Sequence, residues 1–172
     1  MIIKSKRLIL RPFKKSDEKS LIENINDWKV SRCISTVPYP YRMKDAKKWI
    51  AHCIKSLKSK NKKEIVFAVD KNGEVIGSIG LHDINKNHKA EIGYWLAKRF
   101  WNKGIITEAI KITTEYGFKR LKLKRIYASV YLKNEISAHV LEKNHYKREG
   151  LLRNYALKNG ECIDCFMYAK IK

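Results

Sequence analysis

Two hydrophobic periods divide this chain. Between Met43 and Lys58 the apolar residues Ala46, Trp49, Ile50, Cys53, Ile54 and Leu57 fall at spacings 0, 3, 4, 7, 8 and 11, one face of a helix whose other face is rich in Lys. After Gly104, the positions Ile106, Ala109, Ile110, Thr113, Tyr116 and Gly117 fall at 0, 3, 4, 7, 10 and 11, predicting a second long helix. Shorter apolar or alternating stretches read as strands: Arg7 to Phe13 (with Pro12 near its end), Glu64 to Asp70, Val75 to Leu81, Glu91 to Leu96, Arg125 to Tyr131, Tyr146 to Leu152 and Cys162 to Ile171. Ser16-Asp17-Glu18 supplies a cap and first-turn acids for a helix to about Asn26, and Asn134 caps another over Glu135 to about Asn144. Tight turns are expected at Lys71-Asn72-Gly73 and Asn159-Gly160, and a further turn at Asn87-His88-Lys89. The stretch Asp27 to Arg42 carries Pro38 and Pro40 around Tyr39 and reads as irregular.

The resulting order is β-α-α-β-β-β-α-β-α-β-β. Strands on either side of the long helix must run parallel, whereas the meander before it and the last pair are antiparallel. The expectation is an α/β (α+β) fold: a mixed, mostly antiparallel sheet of about seven strands with helices on both faces. At 172 residues without repeats or linkers, residues 1–172 read as one domain.

The junction between the Glu91 to Leu96 strand and the second long helix carries the chemistry. A basic turn, Lys98 to Lys103, leads through Gly104 into the helix. First-turn N–H groups have no partner inside a helix, and the macrodipole leaves partial positive charge there, so this junction is an anion site. Gly104 is expected to admit a ligand close to the backbone, having no Cβ.

Gly93-Tyr94-Trp95-Leu96 followed by Trp101-Asn102-Lys103-Gly104-Ile105-Ile106-Thr107-Glu108-Ala109 resembles the acetyl-CoA segment of the GNAT N-acetyltransferases. Within them it resembles the RimJ/RimL-like branch, which acetylates ribosomal-protein N-termini. The superfamily's pyrophosphate loop is Gln/Arg-x-x-Gly-x-Gly/Ala; here Trp101 and Ile106 depart from its ends. Asn134-Glu135-Ile136-Ser137 with Lys143-Asn144-His145-Tyr146 resembles the Asn-x-x-Ser…Lys-x-Gly-Phe segment. Glu149-Gly150, Arg153-Asn154-Tyr155, Gly160, Asp164 and Tyr168 follow the RimJ/RimL pattern, as does the start, Arg7-Leu8-Ile9-Leu10-Arg11-Pro12 with Trp49-Ile50.

The resemblance implies splayed central strands holding acetyl-CoA as acyl donor, with no metal. The pantetheine arm would lie along the strand bearing Trp95 and Leu96, and the pyrophosphate on Asn102, Lys103, Gly104, Ile105, Ile106 and Thr107, with Lys103 adding charge. Asn134 would contact the pantetheine amides, though it is a good helix cap in any case. Glu91 is the candidate general base, or else a carboxylate flanking a strand. Ser137 is the candidate for protonating the departing thiolate, or else a local hydrogen-bonding group; Tyr146 is the second choice. Tyr39 and Tyr41 lie in the region that flanks the acceptor pocket in the family, where loop packing is an equal reading. Tyr155 with Asn154 matches the RimJ-like version; some RimL-like enzymes carry a Glu where this chain has Ala156, so that base does not carry over.

Composition adjusts this picture. The 38 Lys and Arg against 17 Asp and Glu give a net charge of +21, and 29 of the 38 are Lys. Such a field draws anions, including nucleotides and RNA, but the charges are scattered through every segment, and a compositional bias accounts for them equally well. Cys162-Ile163-Asp164-Cys165 has no second pair at metal spacing, and the five His form no pair. No apolar run approaches the ~20 residues of a membrane span and no signal-like segment opens the chain, so a cytoplasmic location is expected. The expected activity is acetyl transfer to a primary amine, first a protein N-terminal α-amine, with ribosome association implied and a monomer or homodimer expected. Alternatives are a small amine (amino sugar, polyamine or antibiotic) or a basic RNA-binding module without turnover.

Overall fold

The computed structural model describes residues 2–59 and 61–172. Its elements are β1 (Ile3–Lys4), β2 (Ile9–Arg11), α1 (Glu18–Ile25), α2 (Trp28–Ser31), α3 (Met43–Lys58), β3 (Ile65–Lys71), β4 (Glu74–Asn85), β5 (Lys89–Leu96), α4 (Ile105–Arg120), β6 (Arg125–Tyr131), α5 (Glu135–Lys143), β7 (Lys147–Lys158) and β8 (Glu161–Ile171). The eight strands form one sheet in the order β1-β2-β3-β4-β5-β6-β8-β7. Among the described residues only β5 and β6 pair in parallel, as a crossover through α4 requires.

Side chains alternate across the strands and so feed two cores. Phe67, Val69, Ile76, Ile79 and Leu81 face α4, where Ala109 and Ile110 complete the larger cluster. Ala68 and Val75 face the other way, against Leu21 and Ile25 of α1 and Ala46, Ile50 and Cys53 of α3. Helices therefore cover both faces. The approach of α4 is close at Gly117, where a Cβ would meet Ile126 Cδ1 at 2.7 Å.

The expected mixed sheet of about seven strands is present with eight, Ile3 and Lys4 pairing with Leu10 and Ile9. Three local expectations are corrected. Ser16 is not the cap of α1: it lies in a 3-10 turn, Lys15–Asp17, that runs directly into the helix. Asp17 accepts there from the Lys14 amide at 2.9 Å and from both Arg11 terminal nitrogens at 2.7 and 2.9 Å. The stretch from Asp27 to Arg42 contains one helical turn, α2, started by Asp27, whose carboxylate accepts from the Lys29 amide at 2.7 Å. The final hairpin is longer than its apolar pattern suggested, because β7 continues to Lys158.

Candidate active site

Strands β5 and β6 share only three residue pairs, from Lys89↔Arg125 to Glu91↔Tyr127. Beyond them the strands diverge into a fork, and the β6-facing edge of β5 from Ile92 onward has no strand partner. The fork opens a cleft of about 1300 Å³. At its apex Glu91 Oε1 accepts from Ser129 Oγ at 2.7 Å, so a β5 carboxylate is anchored to β6 where the strands part. Farther out, the Tyr94 and Ser137 hydroxyls lie 2.7 Å apart, joining β5 to α5. Burial raises the Tyr94 phenol, only partly offset by Ser137, so it is protonated at neutral pH and available as a donor.

The loop from β5 to α4 is built by its side chains. Trp101 Nε1 donates to the Leu96 carbonyl at 2.8 Å, bracing the turn against the strand end. Asn102 and Gly104 take left-handed conformations, with φ of 58° and 70°. The first bond that closes α4 runs from Glu108 N to Gly104 O at 3.1 Å, leaving the Ile105, Ile106 and Thr107 amides at the cleft without an acceptor among the described residues. An unpaired strand edge and three free amides fit an extended, anionic acyl carrier such as acetyl-CoA. Gly104 acts differently from the sequence expectation: a Cβ there would meet the Arg7 guanidinium at 3.4 Å. Its positive φ is what requires glycine.

The cleft brings together Glu91, Trp95, Leu96, Asn102, Gly104, Ile105, Ile106, Thr107, Asn134, Ser137 and Tyr155. Asn134 also caps α5, its side-chain oxygen accepting from Ser137 N at 3.3 Å. His145, where the family motif has Gly, adopts φ 62°. Burial and then the Glu91 charge raise the Tyr155 phenol, so this exposed tyrosine lies within the field of the carboxylate.

Four named residues lie elsewhere. Tyr41 is 5% exposed, packed in the core beneath α1 and α3. Tyr39 is exposed but packs edge-on against Trp28, with ring centroids 5.4 Å apart, and does not line the cleft. Lys103 points to the far side of its loop, lining a smaller cavity with Arg7, Asp70 and Lys71. The second-choice Tyr146 is also core, hydrogen-bonded to Thr114 at 2.7 Å. Residues that sequence reasoning missed are Tyr94, Ser129 and the wall Val30, Arg32, Ile34 and Ser35. Alternation along β5 and β6 offered the only signal for the first two.

Among the described residues, no group of His, Cys, Asp or Glu side chains is arranged to hold a metal. Cys162 is exposed and Cys165 buried on β8, and all four cysteines are free. No helix among the described residues is long and apolar enough to cross a membrane.

Comparison with known proteins agrees with this geometry. Residues 7–147 match the model of the acetyltransferase (GNAT) domain. The uncharacterized N-acetyltransferase p20 of Bacillus licheniformis is 32% identical over 170 residues, covering 98% of this chain and 94% of that protein. YdaF of Bacillus subtilis, provisionally named a ribosomal N-acetyltransferase, is 39% identical over 102 residues, covering 59% of this chain and 56% of that one. Among solved structures, RimL, the ribosomal L7/L12 α-N-protein acetyltransferase in complex with coenzyme A, superimposes with a TM-score of 0.87 at 24% identity, covering 99% and 98% of the two chains. The chain belongs to the GNAT acetyltransferase family and is an acetyltransferase.

Proposed function

We propose that residues 1–172 act as one cytoplasmic acetyltransferase domain that transfers the acetyl group of acetyl-CoA to the N-terminal α-amine of a protein, a ribosomal protein first among them. The observation that carries the acceptor reading is the charge of the cleft. Its charged lining is Lys29, Arg32, Lys133 and Lys143 against Glu91 and Glu135. A polyamine or aminoglycoside needs several carboxylates to replace its hydration, and this cleft repels such polycations. A peptide α-amine brings one charge and needs one partner. The provisional naming of YdaF points the same way. The likeness to RimL supports the fold only.

Acetyl-CoA supplies an already activated acetyl group. The protein's task is then mainly to hold the amine against it, worth up to ~7–11 kcal/mol for well-oriented partners. The free edge of β5 at Trp95 and Leu96 would take the pantetheine amides as an added strand, with the Asn134 side chain beside them. The amides of Ile105, Ile106 and Thr107, with the Asn102 and Gly104 backbone, would hold the pyrophosphate. A β5 amide directed into the fork would donate to the carbonyl oxygen as negative charge develops on it. Glu91, held by Ser129, would take the proton from the amine. An α-amine with a pKa of about 7.7–8.0 needs only such a weak base, unlike a lysine near 10.4. Ser137, polarised by the Tyr94 hydroxyl, would return a proton to the departing sulfur. Tyr155 would contact the acceptor.

Thiol release from acetyl-CoA across an acceptor panel tests this. The panel holds peptides with free Ser, Ala or Thr N-termini, the same peptides N-blocked but Lys-bearing, and small amines including spermidine. Turnover on free N-termini that vanishes on blocking is expected. Turnover confined to small amines would overturn the acceptor reading and keep the chemistry.

A further inference from the structure

The acceptor side of the cleft has two walls that are far apart in sequence. One is the segment after α2, with Ile34 and Ser35; the other is the end of β7, with Tyr155, Ala156 and Leu157. β7 is the edge strand of the sheet, and its pairing with β8 is interrupted between Leu152 and Ala156, so sheet geometry alone fixes this wall poorly. The segment after α2 belongs to no strand. One side chain bridges them: Lys158 Nζ donates to the Ile34 carbonyl at 2.7 Å and to the Val37 carbonyl at 2.5 Å.

This lysine is unusual in its setting. It is 9% exposed, and among the described residues no carboxylate pairs with it. Burial lowers its pKa. Burying an ammonium against carbonyl oxygens alone is costly, so the arrangement makes a poor stabilising device and a specific geometric one. An aliphatic residue would pack here without the penalty, but would supply no donors to the two carbonyls.

We infer that Lys158 is a positioning residue for the acceptor: its ammonium clasps the Ile34–Val37 segment to the end of β7 and so sets the width of the opening through which the acceptor reaches Glu91. The inference rests on the proposed reading for where the acceptor enters, but the clasp itself can be measured without any acceptor.

The test compares the wild type with Lys158→Met, which keeps the unbranched apolar stem and removes every donor, and with Lys158→Arg, which keeps charge and donors. Amide hydrogen exchange of residues 33–37 should quicken at least tenfold in Lys158→Met, with the amides of α4 unchanged, and Lys158→Arg should fall between. With a peptide that the wild type turns over, the acceptor KM should rise at least tenfold while acetyl-CoA affinity and kcat change less than threefold. Should Lys158→Met fail to fold, Lys158→Leu, which also lacks a donor, carries the same comparison. Exchange within twofold of wild type in a folded variant overturns the clasp. Faster exchange with an unchanged acceptor KM overturns the positioning role. A wild type silent on every peptide sinks the acceptor reading instead, and the exchange result still decides the clasp.

Discussion

The hydroxyls of Tyr94 and Ser137 lie 2.7 Å apart, one on β5 and the other in the first turn of α5. The bond crosses the open side of the fork and gives the serine a hydroxyl partner that a lone first-turn hydroxyl would lack. Ser137→Ala is expected to lower kcat about tenfold or more, the low end of proton-transfer effects or below, with acetyl-CoA affinity within threefold. Tyr94→Phe should show a smaller loss in the same direction. An unchanged kcat in Ser137→Ala removes the serine from the proposed mechanism.

Glu91→Gln keeps an oxygen to accept from Ser129 and loses the base. The rate on an α-amine peptide should fall about 10²-fold at pH 7. Above pH 8 the acceptor is itself largely neutral, so the deficit should shrink as pH rises. Rate–pH profiles of both proteins read this, and parallel profiles would assign Glu91 to structure only.

Gly104 stands at φ 70°, a conformation that costs a residue with a Cβ about 1–2 kcal/mol. Gly104→Ala should lose that much stability in urea. Thr107→Glu, at a residue that lines the cleft in the first turn of α4, adds a negative charge at the free amides and should weaken coenzyme A binding more than 100-fold in calorimetry, with the far-ultraviolet spectrum preserved. Retained affinity would refute the anion site.

Arg11 is held between two buried carboxylates. It pairs with Asp17 through both terminal nitrogens and with Asp70 through Nε at 2.7 Å. Asp17 and Asp70 are 1% and 4% exposed. Arg11→Met leaves both without their counter-charge and should cost about 3–5 kcal/mol, the range for breaking a buried pair. Urea unfolding measures it, and a loss under 1 kcal/mol would show that solvent or a neighbour replaces the guanidinium.

Glu64 links α3 to the sheet. Burial raises its carboxyl, but the Ser56 hydroxyl and the His52 and His82 imidazoles outweigh that and hold it below its ordinary value. The unfolded carboxyl titrates near 4.3, so this group adds stability above that pH and loses it as pH falls through the lower folded value. Glu64→Gln should lower Tm at pH 7 by about 2–4 °C, the shift for roughly 1 kcal/mol at this size. The gap should close toward pH 3. An equal gap at both values would mean that Gln disturbs packing rather than charge.

The sequence by itself determined the parts of this protein governed by local rules. The apolar spacings fixed α3 at Met43–Lys58, and the strand at Arg125–Tyr131 falls as the alternation predicts. A strand, a basic turn and a glycine marked the start of α4, and one long helix between two strands dictated their parallel pairing. Only the tertiary structure decided how far that pairing runs, because a fork arises where strands cease to bond, and no residue pattern encodes the loss of a partner. The contacts of the site are likewise distant: Glu91 meets Ser129 across 38 residues, Tyr94 meets Ser137 across 43, and Lys158 reaches Ile34 across 124. Tyr39 and Tyr41 stand two residues apart beside the same proline, yet one is exposed and the other buried. Local chemistry could not separate them. Docking of their segment against α1 and α3 did, by giving Tyr41 a buried apolar surface to cover and Tyr39 only the exposed ring of Trp28.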